Sequence, residues 1–334
     1  MNDGRVSPMK AEIRDGAHAA SHSASHCATR IAESVSSVLA GKREAVDLAV
    51  TVFFAGGHVL VEDVPGVGKT TLARALAKSI GLSYRRVQFT SDLMPADVLG
   101  GAVFNPATSS FDFRPGPVFT NVLLADEVNR TTPKTQSALL EAMGERSVSI
   151  DGTTHVLEEP FFVIATQNPS DFYGTYPLPE SQLDRFLVRM RLGYPSKEAE
   201  RRVLLARRGQ DPVEALSPVV SRAEVLAAQR AVDDVRMDAA VIDYLHGLVL
   251  GTRSSPQIQL GASTRAALAY ERAVRARALV AGRMFALPDD VKALAVPILS
   301  HRIRVDQGSD NTQTSVDAQE RAVADLVRKT PVPV

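Results

Sequence analysis

The chain has 334 residues, 45% hydrophobic and 23% charged, a usage that leaves room for about two globular domains of roughly 100 to 200 residues each. Lys+Arg and Asp+Glu balance at 38 each, which excludes the global basic field that non-specific duplex binders set against phosphate counterions, so no nucleic-acid partner is expected. The single cysteine, Cys27, excludes an internal disulfide and a cysteine-built zinc site and fits a reducing, cytoplasmic compartment.

Residues 1–25 are rich in Ser, Ala, His and Gly, show no periodic apolar face and carry no apolar signal core before Ala19. A disordered lead-in without export is expected there. His18, His22 and His26 recur every four residues beside Cys27, but no acidic ligand completes a metal set, and metal binding is set aside. From Ile31 onward the pattern changes: Ile31, Val35, Val38 and Leu39 share a helical face, Gly41 breaks it, and a second helix is predicted over 43–54. The most apolar stretch, 45–61, is interrupted by Asp47, Gly56, Gly57 and His58. It falls short of the roughly 18 to 20 residues of a membrane span, so no membrane insertion is expected.

Five short apolar runs then read as buried strands, at 58–61, 86–89, 122–125, 161–165 and 186–190, with helical segments near 70–80 and 134–143 between them. This alternation predicts an α/β fold, a parallel five-stranded sheet with helices on both faces, over 26–194. Two hairpins interrupt it, one pairing 102–104 with 111–113 and one pairing 148–150 with 154–156 around Asp151-Gly152. After Tyr194 strand signals nearly vanish, and Ala/Leu/Val/Arg-rich helices predict a smaller all-α domain over 195–334. The arginines of that half alternate with Glu200, Glu271 and apolar residues, as on solvated amphipathic helices.

The decisive local feature lies between a strand and a helix: Asp63-Val64-Pro65-Gly66-Val67-Gly68-Lys69-Thr70-Thr71. Gly66 and Gly68 permit backbone N–H groups to turn inward around a phosphate chain, at a helix N-terminus whose partial positive charge faces the anion. Lys69 adds a point charge for the β- and γ-phosphates, and the Thr70 hydroxyl is placed for Mg2+. The strict phosphate-loop pattern asks for glycine at its first position, where this chain has Asp63.

Some 55 residues later an apolar strand ends in Asp126-Glu127. Asp126 is the candidate ligand for Mg2+, and Glu127 the candidate base that orients and deprotonates the attacking water. The following strand ends in Gln167-Asn168, where the Asn168 amide suits both the γ-phosphate and that water. All three signals fall at C-terminal ends of predicted parallel strands, where open α/β sheets place their ligands.

Taken together, the Gly66–Thr70 loop, Asp126-Glu127, Asn168 and a following helical domain resemble an AAA+ ATPase, for which ATP and Mg2+ are implied. The run Leu124-Ala125-Asp126-Glu127-Val128-Asn129-Arg130-Thr131-Thr132-Pro133 and its continuation to Met143 resemble the MoxR family in particular, as do 56–66 and 165–169. The resemblance extends from about Ile31 to the C-terminal Pro333. It implies a ring of identical copies, commonly a hexamer, with ATP at subunit interfaces. It further implies that Arg185, in Leu183-Asp184-Arg185-Phe186, is the arginine finger reaching a neighbour's γ-phosphate, and that Arg265, in Gly261-Ala262-Ser263-Thr264-Arg265, lies over the phosphates of its own subunit. Gly41 with Leu39 and Ala40 matches the segment that covers the adenine, and Gln88 is implied to hold Glu127 idle until a partner binds. The two hairpins match inserts that face a ring surface or pore.

The function implied is that of a chaperone or assembly factor hydrolysing ATP to remodel a protein client, with von Willebrand factor A domain proteins as frequent partners. Three other readings stay open at this point: a chelatase-type motor subunit for metal insertion, a nucleotide-gated scaffold with little turnover, and a nucleic-acid translocase.

Overall fold

In a computed structural model, residues 8–168, 174–206, 211–305 and 312–333 are described. The chain opens with helices α1 (Pro8–Val38) and α2 (Arg43–Phe54), strand β1 (Val59–Glu62), helix α3 (Lys69–Ile80), strand β2 (Tyr84–Gln88) and helix α4 (Pro95–Leu99). A hairpin of β3 (Gly100–Asn105) and β4 (Ser110–Pro115) follows, then β5 (Val122–Asp126), α5 (Pro133–Glu145) and a second hairpin, β6 (Ser147–Ile150) and β7 (Thr153–Val156). Strand β8 (Phe162–Gln167), helix α6 (Glu180–Leu183) and strand β9 (Val188–Met190) complete this part.

Five strands form one sheet in the order β2-β5-β8-β1-β9, and every pairing in it is parallel. Side chains on a strand alternate between faces, and here the alternation divides two cores. Val59, Val61, Val122, Leu124, Phe162 and Ile164 pack toward α1, α2 and α3. Leu60, Leu123, Ala125, Val163 and Ala165 pack toward Leu139, Leu140 and Met143 of α5 and Val148 of the second hairpin. Both faces are therefore covered, as the near-continuous apolar strands required.

The remaining elements are helical: α7 (Lys197–Ala206), α8 (Arg222–Ala231), α9 (Ala239–Ser254), α10 (Thr264–Val280), α11 (Pro288–Leu299) and α12 (Thr312–Lys329). Each of α8, α9 and α10 begins on a side-chain cap: Ser221 accepts from Glu224 N, Asp238 from Ala240 N and Ser263 from Ala266 N. Their apolar faces extend the α1–α3 core through Val225, Leu248, Tyr270 and Leu294. A small antiparallel pair, β10 (Ile258–Leu260) with β11 (Arg304–Val305), was not legible beforehand, because three residues and two residues are too short to show an alternation.

Helix α1 begins at Pro8, inside the stretch expected to be disordered. The stripe that seats it is made of small residues: Ala24, Cys27 and Ala28 are buried ahead of Ile31 and Val35. A search for large apolar side chains passes over them. The side chains of His18 and His22 lie outside the described residues, and His26 is exposed.

The two hairpins meet through aromatic rings. Phe113 of β4 stacks on His155 of β7 at a centroid distance of 3.9 Å, and Phe119 closes edge-on against Phe113 at 5.4 Å. The tip of the first hairpin exposes a second pair, Phe104 and Phe111. Among the described residues no helix is long and apolar enough to cross a membrane.

Candidate nucleotide-binding site

Strand order decides what meets. β5, β8 and β1 are consecutive neighbours, so their C-terminal ends bring Asp126-Glu127, Asn168 and the loop after Glu62 side by side. The loop's Gly66 and Gly68 adopt φ of 84° and 106°, a left-handed region that costs a side-chain-bearing residue energy, and a Cβ on Gly68 would also stand 2.7 Å from Leu39 Cδ1. Helix α3 starts at Lys69 immediately after that turn, so its free N–H groups face the loop.

A cavity of about 330 Å³ results. Pro65, Gly66, Gly68, Lys69, Thr70 and Thr71 form one wall, and Asp126, Glu127 and Asn168 form the other. Val67 does not border the cavity but turns into the core, 5% exposed. Lys69 Nζ donates to its own loop's Asp63 carbonyl at 2.7 Å; burial lowers its pKa while Asp126, Asp63 and Glu127 oppose that shift. Phosphate oxygens would relieve this desolvated ammonium.

The acidic pair is fixed from the neighbouring strand. Thr166 Oγ donates to Asp126 Oδ1 at 2.6 Å and accepts from the Glu127 backbone N at 2.9 Å. Glu127 itself sits at φ 59°, ψ 49°, a left-handed conformation that a non-glycine residue enters only under constraint, and that aims its carboxylate into the cavity. There Gln88 Nε2 donates to Glu127 Oε2 at 2.7 Å, and Arg130 Nη1 approaches the same oxygen at 3.0 Å. Arg86 Nη2 donates to Asp126 Oδ2 at 2.6 Å. Neither Arg86 nor Arg130 was singled out from the sequence; the available signal was that Arg86 and Gln88 stand two apart on one strand and so share a face.

Thr70 and Asp126 offer only oxygen to an ion, and among the described residues no His, Cys or Met borders the cavity, so the donor set fits a hard cation such as Mg2+. Gly41 borders a separate, larger cavity of about 750 Å³, where the apolar Ala45, Leu48, Leu192 and Val296 stand beside the charged Glu44, Arg191 and Glu320; it has the size to take a base. Lys42 closes one side of it: its buried ammonium donates to the carbonyls of Leu192, Gly193 and Tyr194 at 2.7, 2.8 and 2.5 Å.

Arg185 and Arg265 lie elsewhere. Both line a third cavity, about 230 Å³, with Gly57, His58, Arg146 and Arg272. His58 precedes β1 and Leu187 precedes β9, with the Leu187 N–H donating to His58 O at 2.9 Å, so this cavity is at the N-terminal end of the parallel strands. The phosphate loop is at the opposite end. The four residues of β1 alone put roughly 13 Å between them. Arg265 therefore does not lie over the phosphate loop of its own chain, in contrast to the expectation. Ser263 capping of α10, a contact from Ser263 Oγ to Asp184 Oδ2 at 3.4 Å and Arg272 Nε donating to Ala55 O at 2.8 Å tie the start of α10 to the other end of the sheet. Arg185 forms no local pair with Asp184 or Glu180; its guanidinium donates to Leu140 O.

Fold, loop and acidic strand end define a P-loop nucleoside triphosphatase core followed by a helical lid. Residues 58–188 match the model described as ATPase family associated with various cellular activities (AAA), and residues 250–322 match the AAA lid domain. The chain is 50% identical over 271 residues to the uncharacterized protein YeaC of Bacillus subtilis, a match covering 81% of this chain and 85% of that one. It is 40% identical over 278 residues to the chaperone MoxR1 of Mycobacterium tuberculosis, covering 80% and 73% respectively. A crystal structure of a Cytophaga hutchinsonii protein superposes with a TM-score of 0.84 at 35% identity, over 96% of this chain and 99% of that one. The chain belongs to the MoxR family of AAA ATPases, and membership implies ATPase activity.

Proposed function

We propose that the protein hydrolyses ATP in a closed ring of its own copies, commonly a hexamer in such assemblies, and uses the cycle to remodel or activate a protein client. Residues 26–194 serve as the nucleotide-binding core and 195–334 as the lid. The observation that carries the reading is the separation of the two cavities: the phosphate loop has Lys69, Glu127 and Asn168 at hand and an Arg86 that is already paired with Asp126, while Arg185 and Arg265 stand together at the other end of the sheet. A second copy is the simplest source of the missing cations.

In this reading the loop N–H groups and Lys69 bind the β- and γ-phosphates, Gly41 and its neighbours cover the base, and Asn168 orients the attacking water. Glu127 accepts the proton of that water at its carboxylate, once Gln88 and Arg130 release it. Thr70 and Asp126 would hold Mg2+, which when bound offsets charge on the phosphate oxygens; Arg86 must leave Asp126 Oδ2 for that ligand to form. Arg185 and Arg265 of the adjacent copy stabilise charge on the γ-phosphoryl group in the transition state. Both hairpins, with Phe104 and Phe111 at one tip, are the surfaces through which a client would feel the cycle.

Turnover per chain should rise with protein concentration as copies associate, and should vanish in Lys69→Ala. A turnover independent of concentration down to fully dissociated chains contradicts the shared site. For the client, crosslinking Glu127→Gln with ATP in native extract should retain a specific protein. A von Willebrand factor A domain protein is the first candidate.

A further inference from the structure

We infer that Arg302 is a positioning residue for the two arginines that face a neighbouring copy; the inference rests on the shared-site reading above. Arg302 lies in the short turn Ser300–Arg302 after α11 and is 5% exposed. A guanidinium carries five N–H donors in a rigid plane, and here each finds an acceptor. Nε donates to Asp184 Oδ1 at 2.7 Å. Nη2 donates to Phe186 O at 2.7 Å and to Asp184 O at 3.3 Å. Nη1 donates to Leu187 O at 3.0 Å and to Ile298 O.

Four of those acceptors belong to residues 184–187, the segment that carries Arg185. The adjoining His301 adds another bond to it, Nε2 to Phe186 O at 3.0 Å. Arg185 thus projects from a four-residue segment whose backbone is held from the lid on both sides of it. Asp184 passes the constraint on. Its second carboxylate oxygen meets Ser263 Oγ, the cap of α10, two residues before Arg265. Arg302, Asp184 and Ser263 therefore set the distance between Arg185 and Arg265, and a phosphoryl group arriving from another copy meets a preset pair. A displacement of about 1 Å in such a group can cost a factor of about 100 in rate.

Arg302 borders neither the phosphate-loop cavity nor the base cavity, so its own chain's nucleotide binding should not depend on it. Lysine cannot reproduce the fan of five bonds, because an ammonium has three donors and no plane. The test is Arg302→Lys in the full-length protein, assayed for ATP turnover alone and mixed with Lys69→Ala copies, whose own phosphate loops are dead but whose arginines are intact. The expected result is a kcat lowered at least tenfold with KM for ATP within about twofold, and recovery of turnover in the mixture above either component. An unchanged kcat overturns the inference, as does a loss that Lys69→Ala copies do not repair.

A control separates this failure from that of the shared site. Arg185→Ala mixed with Lys69→Ala should recover turnover; if that mixture stays dead, the shared site and the inference resting on it both fall. If Arg302→Lys is insoluble, Asp184→Asn carries the same test. It keeps one oxygen for Arg302 but replaces the oxygen that meets Ser263 by an amide NH2 and removes the charge, and the same fall in kcat with the same repair in mixture is expected. No fall, or no repair, overturns the inference there too.

Discussion

Asp63 Oδ2 accepts a hydrogen bond from the Gly193 backbone N at 2.5 Å, while its Oδ1 accepts from Val64 N at 2.9 Å. The residue that breaks the strict phosphate-loop pattern is thereby the strut between the loop and the chain leaving β9, the same segment whose carbonyls surround Lys42. Asp63→Gly would leave the half-buried Gly193 N–H without its partner and free the loop's first residue. A loss of about 1 to 3 kcal/mol in unfolding free energy is expected by denaturant titration, with Asp63→Asn closer to wild type. Equal stability of all three would show the strut to be idle.

Gln88 and Glu127 make a second separable pair. Glu127→Gln should lower turnover by about 10² to 10⁴ while ATP still binds, the range for removing a general base. Gln88→Leu should act oppositely on the basal rate, raising it several-fold, because it withdraws a donor that occupies the base at 2.7 Å. Steady-state ATPase with a parallel nucleotide-binding assay resolves the two.

Removal of Arg185 should leave nucleotide binding intact and reduce kcat by roughly 10³ to 10⁵, the worth of an arginine finger. Arg265→Ala should behave the same way, since it shares the cavity of Arg185 rather than that of Lys69. A large increase in the Kd for ATP measured on dissociated chains would place Arg265 back over its own subunit's phosphates.

Acid should weaken the fold before it titrates ordinary carboxylates. Burial pushes the His58 ring down from 6.5 to about 4, with the nearby Arg146 acting in the same direction. Its Nδ1 accepts from Val163 N and its Nε2 faces Met143 O at 3.3 Å, an arrangement only the neutral ring satisfies. Above pH 6.5 neither folded nor unfolded chain holds the extra proton. As pH falls from there toward about 4, the unfolded chain takes it up and the folded one does not, so about 3 kcal/mol of stability is lost over that window. Buried His301, also shifted well below its ordinary value, adds in the same sense. Urea midpoints between pH 7.5 and 4.5 should decline accordingly, and His58→Asn should flatten part of the slope.

Cys27 reports on the docking of α1. Burial pushes its thiol up to about 12, and the side chain is 3% exposed. A thiol reagent at pH 8 should therefore label it only as the protein unfolds, since the thiolate is the reactive form. Rapid labelling of the native protein would mean that α1 is not seated as described.

The sheet was legible because its strands are short, apolar and separated by helices, and the phosphate loop because its chemistry demands Gly66, Gly68, Lys69 and Thr70 in sequence. Asp126, Glu127 and Asn168 could be placed by their position at strand ends alone. What escaped depends on contacts between distant residues. Nothing local announces that Arg302 binds 184–187, that Lys42 holds 192–194 or that Asp63 reaches Gly193. The position of Arg265 was misjudged for a related reason: a motif fixes where a helix begins, whereas the end of the sheet to which that helix is pinned follows from Ser263 and Arg272 bonding across the fold.

The stacked rings of Phe113 and His155 have a mechanical corollary. The hairpin that precedes β5 and the hairpin that precedes β8 are clasped into one unit, so that a load applied at Phe104 or Phe111 would be shared with β7, just ahead of β8. Strand β8, which follows, carries the Thr166 hydroxyl that steadies Asp126 and Glu127, so such a load would arrive one connection away from that pair.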